Sequence, residues 1–173
     1  MPTLVSRPAA DEYNPYYEKY ISRVPDGDIV EQLTAQVSST IELLESIPES
    51  KGDYRYAEGK WSVKESVLHV IDAERIFAYR ALRIARGDKT PLPGFEQDDY
   101  VPFSRAAERT LHDIAEELGQ VRQASVALFK HLDEEAMSRR GTASNNPVTP
   151  RALAYIIAGH ELHHVRILRE RYL

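Results

Sequence analysis

The residues best suited to chemistry lie near the end of the chain, where His160 and His164 are four positions apart. On an α-helix this spacing places both imidazole rings on one face, one turn apart. The same face carries the apolar residues Leu153, Ile156, Ile157, Ile167 and Leu168. Two unpaired imidazoles in a buried stripe are costly, and a shared metal ion would satisfy both. The spacing therefore favours a metal site, although single buried histidines are more often core residues bonded to a carbonyl or carboxylate group.

The residues from His160 to His164 also match the H-E-x-x-H pattern of zinc proteases, in which the glutamate is the catalytic base. Two observations argue against a protease. Only nine residues follow His164, which is too few for the third ligand and supporting subdomain that such enzymes need. Glu161 also lies about 100° around the helix from His160. We therefore expect Glu161 to form ordinary ion pairs.

The composition indicates one globular domain. The chain has 173 residues, of which 42% are hydrophobic and 28% are charged, as in ordinary globular proteins. Its net charge of −5, without a block of basic residues, argues against nucleic-acid binding. Cysteine is absent, so a metal ion would have to be held by histidine, aspartate, glutamate or water.

The sequence gives no sign of a membrane or export signal. No apolar run approaches the roughly 18 residues that indicate a transmembrane helix. The residues from Met1 to Arg7 lack the apolar core of a signal peptide. We therefore expect a cytoplasmic protein that does not bind membranes.

Helical periodicity and capping residues predict four long helices and no convincing strand. Ser62 and Glu65 form a capping box at the start of the second helix, and Thr149 precedes Pro150 at the start of the fourth. The expected fold is therefore all-α, a four-helix bundle. The predicted helices run from Asp28 to Ile47, from Ser62 to about Arg86, from Ser104 to about Leu132, and from Thr149 to Arg169.

The remaining segments are a long loop and an arm. Residues 87–103 show no helical pattern, and such a long loop is often functional or a crossover connection. Fully extended, it spans roughly 55 Å, more than the second helix at about 37 Å. We therefore expect a crossover loop that leaves the second and third helices parallel. Proline-rich residues 1–27 are expected to form an N-terminal arm on a bundle of residues 28–173.

Three stretches carry a further signal: Lys60–Arg75, Pro91–Tyr100 and Ala158–His164. A tryptophan precedes the second helix, a histidine lies within that helix, and H-x-x-x-H falls in the last helix. In this order the stretches resemble the DinB-like superfamily of metal-dependent enzymes, in its DinB_2 branch. The resemblance covers about residues 28–169.

The resemblance implies a bundle in which His69, His160 and His164 hold a divalent metal ion, with zinc or nickel favoured. Without it, His69 would be interpreted as a buried core histidine. It implies hydrolysis of a small substrate as the nominal activity. Relatives that are transferases or isomerases use a low-molecular-weight thiol such as bacillithiol or mycothiol, and other relatives have no known activity. A thiol S-transferase and a non-catalytic metal-binding bundle therefore stay open, and a homodimer is expected.

Three neutral imidazoles leave an open coordination position for water or a substrate, but no residue stands out as the acid–base group. Asp72 lies one turn from His69, where it either contacts the site or is a solvated surface acid. His163 is turned about 60° from His160 and is not assigned as a ligand. His112 and His131 are interpreted as surface residues. Arg75, Arg80 and Arg83 of the second helix could meet an anionic substrate, but surface charges are the preferred interpretation.

Overall fold

A computed structural model describes residues 5–173, which form mainly helices. The α-helices are α1 (Glu18–Ile21), α2 (Ile29–Ser46), α3 (Val63–Ala85), α4 (Gln97–Tyr100), α5 (Leu111–Phe129), α6 (Glu134–Ser138) and α7 (Pro150–Ile167). A short hairpin consists of β1 (Gly141–Ala143) and β2 (Asn146–Val148). A π-helical turn, Leu168–Tyr172, follows α7. The four long helices α2, α3, α5 and α7 confirm the prediction of a four-helix bundle.

Two apolar clusters at opposite ends of the bundle show how the helices run. One cluster joins the starts of α2 and α7 to the ends of α3 and α5, and includes Leu33, Ala152, Ile84 and Phe129. The other joins the end of α2 and the turn after α7 to the starts of α3 and α5, and includes Leu44, Leu168, Val67 and Ile114. Helices α3 and α5 are therefore parallel, and the loop between them crosses the length of the bundle, as predicted.

Side-chain caps set the helix starts. At α3, Ser62 Oγ accepts a hydrogen bond from the Glu65 amide at 3.1 Å, and the Glu65 carboxylate accepts one from the Ser62 amide at 2.7 Å. At α7, Thr149 Oγ1 accepts a hydrogen bond from the Ala152 amide at 3.1 Å. Each bond satisfies a backbone donor that has no partner within the helix. Helices α2, α3 and α7 begin within one residue of the predicted positions.

The predicted third helix begins too early. Helix α5 starts at Leu111 rather than Ser104, because Thr110 Oγ1 caps it by accepting a hydrogen bond from the Asp113 amide at 3.1 Å. Arg105 has a φ of 55°, a left-handed conformation that interrupts any continuous helix. Helix α4 and a 3₁₀ turn, Val101–Phe103, precede Arg105, and a second 3₁₀ turn, Ala106–Glu108, follows it. The crossover segment therefore contains helical turns that its sequence did not reveal.

The hairpin before α7 was also not predicted. Thr142 and Pro147 face each other in its antiparallel register. Ser144 and Asn145 have φ values of 50° and 63°, as the tight turn between twisted strands requires. Strands of three residues are too short to show an alternating pattern. The hairpin fastens the crossover loop, since the Leu92 amide donates to the Thr142 carbonyl at 2.9 Å and the Leu92 carbonyl accepts from the Ser144 amide at 3.0 Å.

The predicted N-terminal arm begins in residues 1–4, which lie outside the described residues. From residue 5 onward, the arm lies on the bundle as short helical turns. Helix α1 crosses α7 at Gly159, where an added Cβ would lie 2.1 Å from the Tyr20 carbonyl oxygen. The absence of a side chain at Gly159 therefore allows the two backbones to approach.

The long helices are amphipathic. Within residues 5–173, none combines the length and the apolar character needed to cross a membrane.

Glu12 anchors the arm to the start of α7. It is 2% exposed, and its carboxylate accepts hydrogen bonds from Thr149 Oγ1 at 2.8 Å and Arg151 Nε at 2.7 Å. Burial acts to raise the pKa of Glu12, but the hydrogen bonds from Arg151, the Ala9 backbone and Thr149 outweigh it and lower the pKa below its ordinary value. The ionised carboxylate therefore stabilises the fold above the ordinary glutamate pKa of about 4.3. This stability is lost as the pH falls through the lowered pKa.

Replacing Glu12 with Gln should reduce the free energy of unfolding by about 1–3 kcal/mol at neutral pH, because charge-assisted hydrogen bonds are lost. The difference from the wild type should shrink below about pH 4.3, because the wild type then loses its own carboxylate charge. Urea unfolding at about pH 7 and about pH 3 measures both values. The control is Glu134→Gln, since the exposed Glu134 contacts the same Arg151 at 3.2 Å and should contribute at most about 1 kcal/mol. An equal loss for Glu12→Gln at both pH values would contradict this assignment.

Candidate metal centre

His69 of α3 meets His160 and His164 of α7 inside the bundle. Nε2 of His160 lies 3.0 Å from Nε2 of His69 and 3.1 Å from Nε2 of His164. One nitrogen from each ring lies within 4.8 Å of the others. Because α3 and α7 are antiparallel, the first part of α3 lies beside the last part of α7. The fold thus brings together the three histidines of the expected ligand set.

Hydrogen bonds alone do not satisfy this arrangement. A neutral imidazole nitrogen carries either one proton or one lone pair, so it forms a single hydrogen bond. Nε2 of His160 nevertheless has two nitrogen neighbours at hydrogen-bond distance. A metal ion accepts a lone pair from all three rings, and tetrahedral zinc with bonds of about 2.0–2.1 Å separates its nitrogens by about 3.3 Å. The donor set therefore fits a divalent metal ion, and the two short separations of 3.0 and 3.1 Å lie close to that value.

Burial keeps the three rings uncharged. Burial and then the positive charge of the neighbouring histidines lower the pKa of His164 to about 3 and that of His160 well below its usual value. Burial lowers the pKa of His69 to about 4, against the opposing effect of the Asp98 carboxylate. Neutral imidazole is the form that binds metal ions. All three side chains are therefore ready to act as ligands at neutral pH.

Aromatic side chains hold the histidine rings in place. The Tyr20 ring meets His160 edge to face, with centroids 5.3 Å apart. The Trp61 ring lies 4.8 Å from that of His69, and the Trp61 carbonyl accepts a hydrogen bond from the Tyr172 hydroxyl at 2.6 Å. The arm and the C-terminal turn thus both help to position the site.

Glu161 points into the core and not toward the histidines. It is 1% exposed, and its carboxylate accepts hydrogen bonds from Arg122 at 2.6 Å and from Gln36 and Thr40. Arg122 also donates to both oxygens of Glu74 at 2.9 Å. The zinc-protease role of Glu161 is therefore excluded by its partners, and the expected ion-pairing role is found in the core.

Two cavities border the histidines. One, of about 260 Å³, reaches His69 and His160, and its aromatic wall contains Tyr16, Tyr17, Tyr20, Phe77 and Phe95. The other, of about 330 Å³, reaches His164 beside Trp61 and Tyr172. Asp98 of α4 lines both cavities. The crossover loop therefore places a carboxylate between two spaces that both reach the histidines.

Of the other histidines, His163 borders the cluster, with its ring centroid 5.2 Å from that of His164, whereas His112 and His131 lie elsewhere on the surface. His163 is half-buried, and its ring centroid is 5.2 Å from that of Tyr20 on the arm. His112 and His131 are exposed, as expected. Asp72 shares a small cleft with His69, and burial raises its pKa. Asp72 has no hydrogen bond to His69 within the described chain, so it is placed at the margin of the site.

Arg80 is buried, which corrects the expectation that it is a surface charge. It was grouped with Arg75 and Arg83 as a surface charge, but it is 3% exposed. Its Nη2 donates to the Pro93 carbonyl at 2.8 Å and to Ser144 Oγ at 3.2 Å. The crossover loop and the hairpin cover this part of α3, which the periodicity of α3 alone does not show.

Sequence reasoning also missed Asp98 and Tyr20 as site residues. The available signals were indirect: the unusual length of the loop that carries Asp98, and the tyrosines clustered in the arm. Neither signal says which residue faces the histidines, since both depend on how distant segments fold over the bundle.

This bundle with three convergent histidines is that of a known family. The sequence profile of the DinB superfamily matches residues 32–168, and the chain belongs to that family. The uncharacterized protein YjoA of Bacillus subtilis is 28% identical over 141 residues, which cover 80% of this chain and 82% of YjoA. Its crystal structure, that of a DinB-like protein, has a TM-score of 0.59 at 26% identity and covers 82% of this chain and 86% of YjoA.

Two further solved structures share the fold. YfiT of Bacillus subtilis, described as a probable metal-dependent hydrolase with an unusual four-helix bundle topology, has a TM-score of 0.68 at 16% identity, covering 95% of this chain and 90% of YfiT. A mycothiol-dependent maleylpyruvate isomerase has a TM-score of 0.64 at 13% identity, covering 84% of this chain and 61% of the isomerase. At these identities the likeness establishes the fold alone.

Replacing His69, His160 or His164 with Ala should remove stoichiometric metal, because two imidazoles alone bind a divalent ion weakly. Elemental analysis of protein purified without a histidine tag measures the metal content. His112→Ala and His131→Ala are matched controls on the exposed surface and should keep about one ion per chain. Retention of the metal by any of the first three variants would refute that residue's assignment as a ligand.

Gly159→Ala should destabilise the protein by about 1–3 kcal/mol, because the new Cβ overlaps the Tyr20 carbonyl and pushes α1 from α7. Gly119→Ala is the control, since its Cβ would meet only the Cδ1 atom of Ile41 at 3.2 Å. Its smaller clash is offset by the higher helix propensity of alanine. Chemical unfolding compares the two variants. Equal stability of both would show that the contact between α1 and α7 has more space than the structure indicates.

Proposed function

We propose that this chain is a metal-dependent hydrolase of a small molecule, with a divalent ion held by His69, His160 and His164. The observation that carries the proposal is the convergence of three neutral, largely buried imidazole nitrogens at a point that borders two cavities. The description of YfiT as a probable metal-dependent hydrolase supports it. All-imidazole ligation suits zinc or nickel, which are the ions we propose.

When bound, a divalent ion with an open coordination position supplies Lewis-acid activation of water or of a thiol. The protein supplies the other functions. Asp98 lines both cavities, where its Oδ atoms accept the proton that the nucleophile loses and return it to the leaving group. Tyr20 and Trp61 fix the histidine rings. The aromatic wall of the cavity beside His69 and His160 excludes water and packs against the substrate.

A second candidate is a thiol S-transferase, and the paired cavities favour it. A transferase must hold a thiol and an electrophile together, and two spaces reach the histidine cluster, one at His69 and His160 and the other at His164. The mycothiol-dependent isomerase with the same fold uses such a thiol. A third candidate, a metal-binding bundle without catalytic activity, needs neither cavity.

Assays of product formation with and without a thiol, in which thiol consumption is also measured, separate these candidates. Protein of known metal content is incubated with 4-nitrophenyl esters alone, and then with a thiol and 1-chloro-2,4-dinitrobenzene. Metal-dependent ester cleavage without a thiol supports the hydrolase. Product formed only with the thiol, with one thiol consumed per product, supports the transferase. One bound ion and no turnover in either assay contradicts both enzymes and supports the non-catalytic bundle.

Asp98→Asn should lower kcat by about 100-fold in whichever assay shows turnover, because an acid–base group typically contributes that much or more. The metal content should not change, because Asp98 is not among the proposed ligands. Asp99→Asn is the matched control: Asp99 is the next residue and lines a different cleft beside Phe103. Equal activity of Asp98→Asn and Asp99→Asn would remove Asp98 from the mechanism.

The homodimer and the cytoplasmic location expected from the sequence stay predictions. The division into an arm of residues 1–27 and a bundle of residues 28–173 likewise stays a proposal.

A further inference from the structure

Arg80 is a buried cation whose surroundings differ from those of the other buried cations. Among residues 5–173, three cationic side chains are buried: Lys64, Arg80 and Arg122. Lys64 contacts the carboxylates of Glu49 and Asp53 at 3.1 and 3.5 Å. Arg122 contacts two buried carboxylates. For Arg80, no aspartate or glutamate oxygen of the described chain lies within 4.0 Å of a side-chain nitrogen.

The hydrogen bonds of Arg80 are few. A guanidinium group has five N–H donors. Within residues 5–173, Nη2 donates to the Pro93 carbonyl and Ser144 Oγ, and the neutral Tyr17 hydroxyl also interacts with the group. The group also lies 5.9 Å and 5.7 Å from the ring centroids of Phe77 and Phe95. These contacts hold the guanidinium in place but bring no negative charge. A buried charge without a counter-charge is costly, so this site is suited to an anion.

Arg80 borders open space. It lines a small cavity of about 60 Å³ with the polar side chains of Tyr17, Ser144 and Asn146. The cavity of about 260 Å³ that reaches His69 and His160, called the larger cavity below, is also lined by Tyr16, Tyr17 and Ser144. The two spaces are therefore neighbours that share one wall.

One face of helix α3 runs from the histidines to Arg80. His69, Ala73, Phe77 and Arg80 are spaced four, four and three residues apart, so they share one face. The first three line the larger cavity. His69 and Arg80 are about 16 Å apart along the helix axis, and the long arginine side chain leans back toward the N-terminal end of α3. The small side chain of Ala73 leaves space beside α3, and the Phe77 ring forms an apolar wall of that space.

We propose that the substrate is an elongated carboxylate whose anionic end binds Arg80 and whose apolar middle packs against Phe77 and Phe95. Its reacting group then lies at the histidines. This inference rests on the proposed function for the location of the reacting group. Arginine binds carboxylates through two parallel hydrogen bonds, and Tyr17 and Asn146 offer further donors. Glu96 and Asp98 also line the larger cavity, but they are exposed, so water and salt screen them more than the buried Arg80.

The test compares two probes of nearly equal shape, 4-fluorophenylacetate and the uncharged 4-fluorophenylacetamide. Their binding to the protein as purified is measured by fluorine NMR titration. The carboxylate should bind at least about tenfold more tightly than the amide, as expected for a charge-assisted bidentate contact. Equal affinities in the wild type would overturn the proposal without any variant.

Variants then locate the binding site. Arg80→Gln should abolish the preference for the carboxylate, and Arg80→Lys, which keeps the charge but not the planar fork, should retain part of it. The control is Arg75→Gln on the same helix, where the half-exposed Arg75 pairs with Glu117; it should leave the preference unchanged. If Arg80→Gln does not fold, Arg80→Lys decides, and an unchanged preference in that variant overturns the assignment.

Metal content measured on the same samples separates the two proposals. A carboxylate bound by the metal ion instead of Arg80 would keep its preference in Arg80→Gln, which contradicts the inference. If the wild type prefers the carboxylate, Arg80→Gln abolishes that preference and neither sample holds metal, the proposed function is refuted but the anion site stands.

Discussion

The structure depends on one buried guanidinium group that joins all four helices of the bundle. Arg122 of α5 donates hydrogen bonds to Glu74 of α3, Glu161 of α7 and the Leu33 carbonyl of α2. Removing one member of such a buried network leaves an uncompensated charge, which costs about 3–5 kcal/mol. Glu161 directly precedes the turn that carries His164, and each residue turns the helix by about 100°. Holding Glu161 toward the core therefore fixes the rotation of α7 that directs His160 and His164 toward His69.

The order of the helices explains why the site lies where it does. Since α3 and α5 run parallel, the chain must return along the bundle between them, and the returning segment passes over the histidines. This segment places Asp98 beside the two cavities. Farther along α3, its residue Pro93 and the hairpin residue Ser144 both contact the buried Arg80. Helix α1 closes the opposite side of His160 through Tyr20. The histidines thus belong to the bundle, while much of the space around them is built by the connecting segments.

Local sequence signals predicted the parts of this structure that depend on neighbouring residues. The caps at Ser62 and Thr149 gave the starts of α3 and α7, and the four-residue spacing placed His160 and His164 on one face. His69 is different, because nothing in α3 alone separates it from a core histidine; only the family resemblance linked it to α7. The start of α5, the short hairpin and the burial of Arg80 were missed because each depends on contacts between segments far apart in sequence.

The central claim is that His69, His160 and His164 together bind one divalent metal ion and leave a coordination position open. X-ray absorption spectroscopy at the metal edge, on protein loaded with one equivalent of zinc, tests it most directly. The expected spectrum shows three imidazole nitrogens at about 2.0–2.1 Å and one further light atom. A spectrum with fewer than three imidazoles, or one that does not change in His69→Ala, would contradict the three-histidine site.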